Sequence, residues 1–277
     1  MRSRRVAEEV AALALLACLG TLSAASSAAA PRVPPPTAAT AVRRPGSAAE
    51  ARAVTRFLAR DAVLRCGGTH GDEVALTFDD GPTSLTSRLL AILAAHRVKA
   101  TFFLIGRNIR PERGAVKAEA AAGDEIGNHS WSHPDLTTLA PAELARELGA
   151  TSAAIRALTG TAPRLMRPPG GDHDGAVDAA IRAQRMVETL WSVDPRDWAS
   201  NDPGSIARSV LAAASPGAII LLHDGRPATL AALPTILDGL TGLGLHPVTV
   251  PRLLLDDPPT STACAPPASA VVREGTR

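Results

Sequence analysis

Two aspartates stand side by side in "TFDDGP", residues 77–82, between an apolar run and a Gly-Pro turn. Adjacent carboxylates repel, and each costs free energy to bury unless a cation neutralises it. Two histidines follow in "HSWSH", and the i, i+4 spacing of His129 and His133 predicts both imidazoles on one face of a helical turn, able to grip one ion. Two His and one Asp make a three-ligand set with an open position for water, the arrangement of a hydrolytic divalent metal. Successive strand residues point to opposite faces, so Asp79 and Asp80 can serve one centre only where the strand ends and Gly81-Pro82 turns the chain. The economical division makes Asp80 the ligand and Asp79 the base that takes a proton from the attacking water.

Three further signatures suit the same chemistry. His223 ends "LLH", and a carboxylate from "WSVDPRDW" holding one ring nitrogen would keep its imidazolium ready to protonate a leaving group. Arg167 in "RPPGG" is placed to pin Asp79. The Pro-Pro and Gly-Gly pairs beside it bring backbone N–H groups towards a developing oxyanion.

The elements that must position these residues alternate from Glu73 onward. "EVALTF", "KATFFLIG", "EIGNH", "PRLMR", "VETLWS", "GAIILL" and "HPVTV" read as strands. Between them lie helical patterns, including 84–97, 111–123, 141–160 opened by Pro141, a segment around 176–183, 203–213 and 229–244. Strands separated by helices of this length imply parallel βαβ units, closed as a barrel or laid out as an open doubly wound sheet. Each polar signature falls at the C-terminal end of a strand, where the loops of such a fold build an active site.

Composition narrows the partners. The 277 residues carry 29 basic and 27 acidic side chains, so no charged face points to nucleic acid. Residues 1–30 combine "MRSRR", an apolar stretch and "SSAAAP", the features of a signal peptide, which places the protein outside the cell or on its envelope. Cys18 in "LLAC" offers a second processing site, one that would leave a lipid anchor. In an oxidising compartment Cys66 and Cys264 are then free to form a disulfide. Residues 31–65 read as a Pro/Ala-rich linker with a short helix over 51–60, residues 66–256 as the catalytic domain, and 257–277 as a mostly disordered tail.

In this order, "TFDDGP", "HSWSH", "RPPGG", "DPRDW" and "LLH" resemble the polysaccharide deacetylase family, metal-dependent carbohydrate esterases with a nodulation-type deacetylase domain, over residues 73–255. The resemblance implies an α/β fold, a distorted (β/α) barrel with about seven parallel strands, that removes acetyl groups from N- or O-acetylated sugars of an extracellular polysaccharide. Carried over, Asp79 is the base, Asp80, His129 and His133 bind the metal, Arg167 positions the base, and His223 is the acid. Asp197 is the chosen partner of His223, ahead of Asp194, while Trp198 and Leu221 line an acetyl pocket. Zinc suits two N and one O ligand, and cobalt, nickel or manganese fit the same set. A monomer acting on peptidoglycan, chitin oligomer or xylan is expected. One departure stands out: family members commonly carry an aromatic after the two prolines, and here the position is Gly170, which keeps the N–H for the oxyanion and loses the groove wall.

Overall fold

A computed structural model describes residues 45–260; the expected leader, Cys18 and Cys264 lie outside them. In chain order the elements are α1 (Pro45–Leu58), β1 (Glu73–Gly81), α2 (Thr86–Ala95), β2 (Thr101–Leu104), α3 (Gly106–Ile109), α4 (Arg113–Ala122), β3 (Glu125–Asn128) and α5 (Pro141–Thr159). There follow β4 (Leu165–Met166), α6 (Gly175–Ala183), β5 (Val187–Glu188), α7 (Pro203–Ala213), β6 (Ile219–His223), α8 (Pro227–Gly242), β7 (His246–Val248) and α9 (Val250–Asp256).

The seven strands form one sheet in the order β5-β4-β3-β2-β1-β6, with β7 also pairing with β1. Every ladder is parallel. No ladder joins β5 to β6; single bridges at Leu64–Thr189 and Val193–Ile220 draw those edges together, which distorts the barrel. Helix boundaries follow local chemistry. Asp174 and Asp202 accept N–H bonds at the starts of α6 and α7, and α4 and α5 stop at Gly123 and Gly160, both with positive φ.

Alternation along β1 sorts the core into two layers. Val74, Leu76 and Phe78 pack outward with Leu89, Leu93, Val210 and Leu233 under the surrounding helices. Ala75 joins Phe103, Leu165, Val187 and Ile219 inside the barrel, where α1 and α9 close the floor with Phe57, Val250 and Leu253. Thr77 and Asp79, in step with Ala75, therefore face inward.

The ends of this unit depart from the sequence reading. The helix expected at 51–60 begins at Pro45, inside the expected linker, because Ala53, Val54 and Phe57 bury a face in the barrel floor. The tail begins in order: buried Asp257 accepts N–H bonds from His70 and Gly71 on one carboxylate oxygen, and its backbone carbonyl accepts from Gly68. Such satisfaction of turn N–H groups is what fixes the chain there.

Candidate active site

Two turns at the C-terminal ends of β1 and β3 build the centre. β1 does not end before the aspartates; it continues to Gly81 through an irregularity in its pairing with β2, and Asp80 sits there at φ +71. That bulge re-aims Asp80 relative to Asp79. Asn108 donates to the Asp80 carbonyl at 3.1 Å. Below the turn, buried Asp224 accepts from the hydroxyls of Thr83 and Thr86, which anchors the chain that follows the doublet, and from the Gly225 N–H beside it.

The "HSWSH" segment is a loop rather than a helical turn, with Ser130 and His133 at positive φ. Its backbone is held from outside. One oxygen of Glu147 on α5 accepts the N–H groups of Trp131 and Ser132, each at 2.8 Å, and the other accepts the Ser132 hydroxyl. Asn128 accepts the Ser130 N–H, and the Ser130 hydroxyl accepts from His133 N–H. These bonds replace the i to i+4 ladder that a helix would have supplied, and still bring both imidazoles to one place.

His129 and His133 face one another with ring centroids 5.0 Å apart. Asp80 Oδ1 lies 3.6 Å from His129 Nε2 and 3.3 Å from His133 Nε2. Ligands about 2.0–2.1 Å from a tetrahedral ion lie about 3.3–3.4 Å from one another, so these separations suit a divalent cation. Asp80 Oδ1 is also buried with no hydrogen-bond partner, an acceptor that a cation would satisfy. His129 Nδ1 donates to the Arg167 carbonyl at 2.7 Å, which leaves the Nε2 lone pair towards the centre.

Electrostatics act oppositely on the two rings. Burial holds the His129 imidazole below its ordinary pKa against the pull of Asp79 and Asp80, keeping it neutral. The Asp80 carboxylate, 3.3 Å away, lifts the His133 pKa. Burial pushes the Asp80 carboxyl up, but His133 and the surrounding imidazoles outweigh it and bring it to about 2.

Asp79 stands beside this cluster, its Oδ2 3.8 Å from His129 Nε2. Arg167, with no solvent exposure, donates to Asp79 Oδ1 at 2.7 Å and to the Thr77 hydroxyl at 2.9 Å. Its Nε and Nη2 donate to the Thr189 and Leu190 carbonyls, both at 3.0 Å, and its Cζ lies 4.3 Å from the Phe103 ring centroid. A buried guanidinium so satisfied is rigid, and it leaves Asp79 Oδ2 turned to the histidines.

Across the mouth, His223 Nδ1 lies 2.7 Å from Asp197 Oδ1, and Asp197 Oδ2 accepts the His223 N–H and the Thr229 hydroxyl. Burial lowers the His223 pKa, and fully buried Asp197 more than reverses this, so the imidazole titrates above its ordinary value. Asp194 instead accepts the Arg196 N–H and closes a local turn. Leu221 is buried two residues before His223 and shares its strand face; Trp198 is half-exposed with the Arg196 guanidinium over its ring. Gly170 is exposed at φ +67 in the turn Pro169–Gly171, and a Cβ there would meet Asp172 Oδ2 at 2.9 Å.

The sequence reading overlooked Asn108, Glu147, Asp224 and Thr229. Only Asp224 had a local signal, its place directly after His223; the others reach the site from helices, outside the motifs themselves.

The family model for polysaccharide deacetylase matches residues 67–187. The chain is 43% identical over 181 residues to a chitooligosaccharide deacetylase of Bradyrhizobium, covering 63% of this chain and 81% of that one. It is 40% identical over 182 residues to the peptidoglycan-N-acetylglucosamine deacetylase PgdA of Listeria monocytogenes, covering 65% of this chain and only 38% of the relative's length. Among solved structures it is similar to the Bc1960 peptidoglycan N-acetylglucosamine deacetylase in complex with 4-naphthalen-1-yl-N-oxidanyl-benzamide. That match has a TM-score of 0.68 and 35% identity and covers 71% of this chain and 94% of that one.

Proposed function

Because this chain belongs to the polysaccharide deacetylase family, we propose that it hydrolyses acetyl groups from the N-acetylated sugars of a cell-wall or chitin-type polysaccharide. The observation that carries the reading is Asp79, gripped by a buried arginine and 3.8 Å from a histidine of the three-ligand cluster.

Asp80, His129 and His133 would hold the metal, for which zinc is proposed on their two N and one O donors, with cobalt, nickel or manganese admissible. When bound, a divalent cation supplies Lewis acidity and acidifies water. Asp79 then needs only to accept a proton from the attacking water, and Arg167 keeps the carboxylate aimed during that transfer. His223, held as a donor by Asp197, returns a proton to the leaving amine. The Gly170 N–H is proposed as an oxyanion donor, and Leu221 and Trp198 as walls around the acetyl methyl. A non-catalytic glycan-binding role is disfavoured, because the complete set of ionisable groups is present and mutually in reach.

Action on such a polymer would require the protein to work outside the cell or on its envelope. No helix among the described residues is long and apolar enough to cross a membrane. We also propose the Cys66–Cys264 disulfide, which would tie the barrel's entry to its tail. A thiol titration of the denatured chain that returns both sulfhydryls would refute it.

Acetate release decides the main reading. Peptidoglycan, acetylated chitin oligomers and acetylated xylan are supplied to metal-stripped protein reloaded with each of the four metals. Release from one of the two N-acetylated polymers supports the proposal. Release from xylan alone, or from none of the three with any metal, overturns it.

A further inference from the structure

Among the described residues a second group of three metal-capable side chains lies apart from the first: His173, Asp178 and Glu188. His173 precedes α6, Asp178 lies in the first turn of that helix, and Glu188 is on β5. Glu188 is in register with Met166, which packs on Val177 and Ile181 of α6, whereas its neighbour Val187 belongs to the barrel interior. The cluster therefore sits in the layer between sheet and helix, on the other side of the barrel wall from Asp79.

This cluster holds a buried carboxyl oxygen that lacks a hydrogen-bond partner. His173 Nδ1 lies 2.9 Å from Asp178 Oδ1 and 3.2 Å from Glu188 Oε1. The single hydrogen on Nδ1 is taken by Asp178, and Glu188 Oε1 is left buried with no hydrogen-bond partner in a residue only 5% exposed. Burial, and then the charge of Asp178, push the Glu188 carboxyl up to about 8. The nearby arginines do not close the gap. Arg182 is paired with Asp61 at 2.7 Å, and the Arg65 guanidinium lies 3.4 Å from Nε2, the other nitrogen of the ring.

We propose that His173 Nδ1, Asp178 Oδ1 and Glu188 Oε1 form a second divalent-cation site, structural in role, that ties α6 and the Gly170 turn to β5. The three atoms lie within 4.8 Å of one another, and the two carboxylate oxygens, 2.9 and 3.2 Å from Nδ1, need to move only a few tenths of an ångström to reach the separations of ligands on one ion. One nitrogen and two carboxylates are a donor set for zinc or manganese. On binding, the ring stays neutral and its one hydrogen shifts from Nδ1 to Nε2, the Glu188 carboxyl releases its proton to solvent, and Arg65 turns away from Nε2. Arg65 thus opposes occupancy, and Arg65→Gln, whose amide oxygen can accept the Nε2–H, strengthens it.

The test uses the tag-free full chain, stripped of metal, with zinc alone as the probe in equilibrium dialysis and in thermal melts. The intact chain is expected to hold two zinc ions and the near-isosteric Glu188→Gln chain one. The double variant Asp80→Asn, His133→Ala should still take one zinc with a rise in melting temperature, and adding His173→Ala should remove both effects. A single zinc in the intact chain, lost with Asp80→Asn, overturns the proposal. So does a second zinc that persists in both Glu188→Gln and His173→Ala. The site stands or falls independently of acetate release.

Discussion

The backbone carbonyl of Arg167 accepts the Nδ1 hydrogen of His129 at 2.7 Å, while the guanidinium of the same arginine holds Asp79. One residue thereby orients a ligand of the metal cluster through its main chain and the proposed base through its side chain. The two functions are separable. Arg167→Leu leaves Asp79 buried beside no cation, which costs about 3–5 kcal/mol, but it keeps the carbonyl that fixes His129. Urea unfolding should show that loss, with zinc affinity little changed at a temperature where the variant is folded.

Asp79→Asn keeps the shape and an acceptor for Arg167 and removes the basic oxygen. Acetate release is expected to fall about 10²–10⁴-fold with zinc still bound. Dialysis and a rate assay on the same sample check both halves, and normal turnover would place the base elsewhere.

The pH profile turns on His223. Its pKa is raised in the folded chain above the ordinary 6.5, since Asp197 outweighs burial. The acid form is lost as pH rises through the raised value, so the alkaline limb of kcat/KM lies above 6.5. The stability this pair contributes follows the same sign, full below the unfolded pKa and lost as pH rises through the folded one. Asp197→Asn removes the largest effects opposing burial and leaves only the charges of Asp79 and Asp80, so the alkaline limb should shift to lower pH. An unmoved limb would show that another group sets it.

Glu147 touches neither histidine ring in the hydrogen-bond network, yet it holds the N–H groups of Trp131 and Ser132 between them. Glu147→Ala frees that loop and should weaken zinc binding about 10–100-fold, as read by competition with a chelator. Unchanged affinity would mean that the bonds through Asn128 and Ser130 suffice.

Gly170 occupies a left-handed conformation that a side chain resists. Gly170→Ala should lower stability by about 1–2 kcal/mol, with the Cβ crowding Asp172. Equal stability by urea melts would indicate that the turn readily adopts another backbone shape.

Much of this architecture is legible in local chemistry. The boundaries of α7, between a capping Asp202 with Pro203 and the end of its apolar spacing, follow from residues in contact along the chain. So do the positions of the polar motifs at strand ends. The shape of the "HSWSH" loop is different, because Glu147 reaches it from a helix that begins eight residues beyond His133. No spacing rule within five residues reports such a partner.

By itself the sequence determined which groups are present, their order, and that parallel βαβ units carry them to one end of a sheet. Those features rest on periodicity, capping and turn residues, all interactions of short range. Only the tertiary structure decided that Asp197 rather than Asp194 meets His223, that a bulge and not a strand end separates Asp79 from Asp80, and that Glu188 is buried beside His173. These depend on strand register and on helices docking across long sequence separations. A shift of one residue in a strand would send the same side chain to the opposite face.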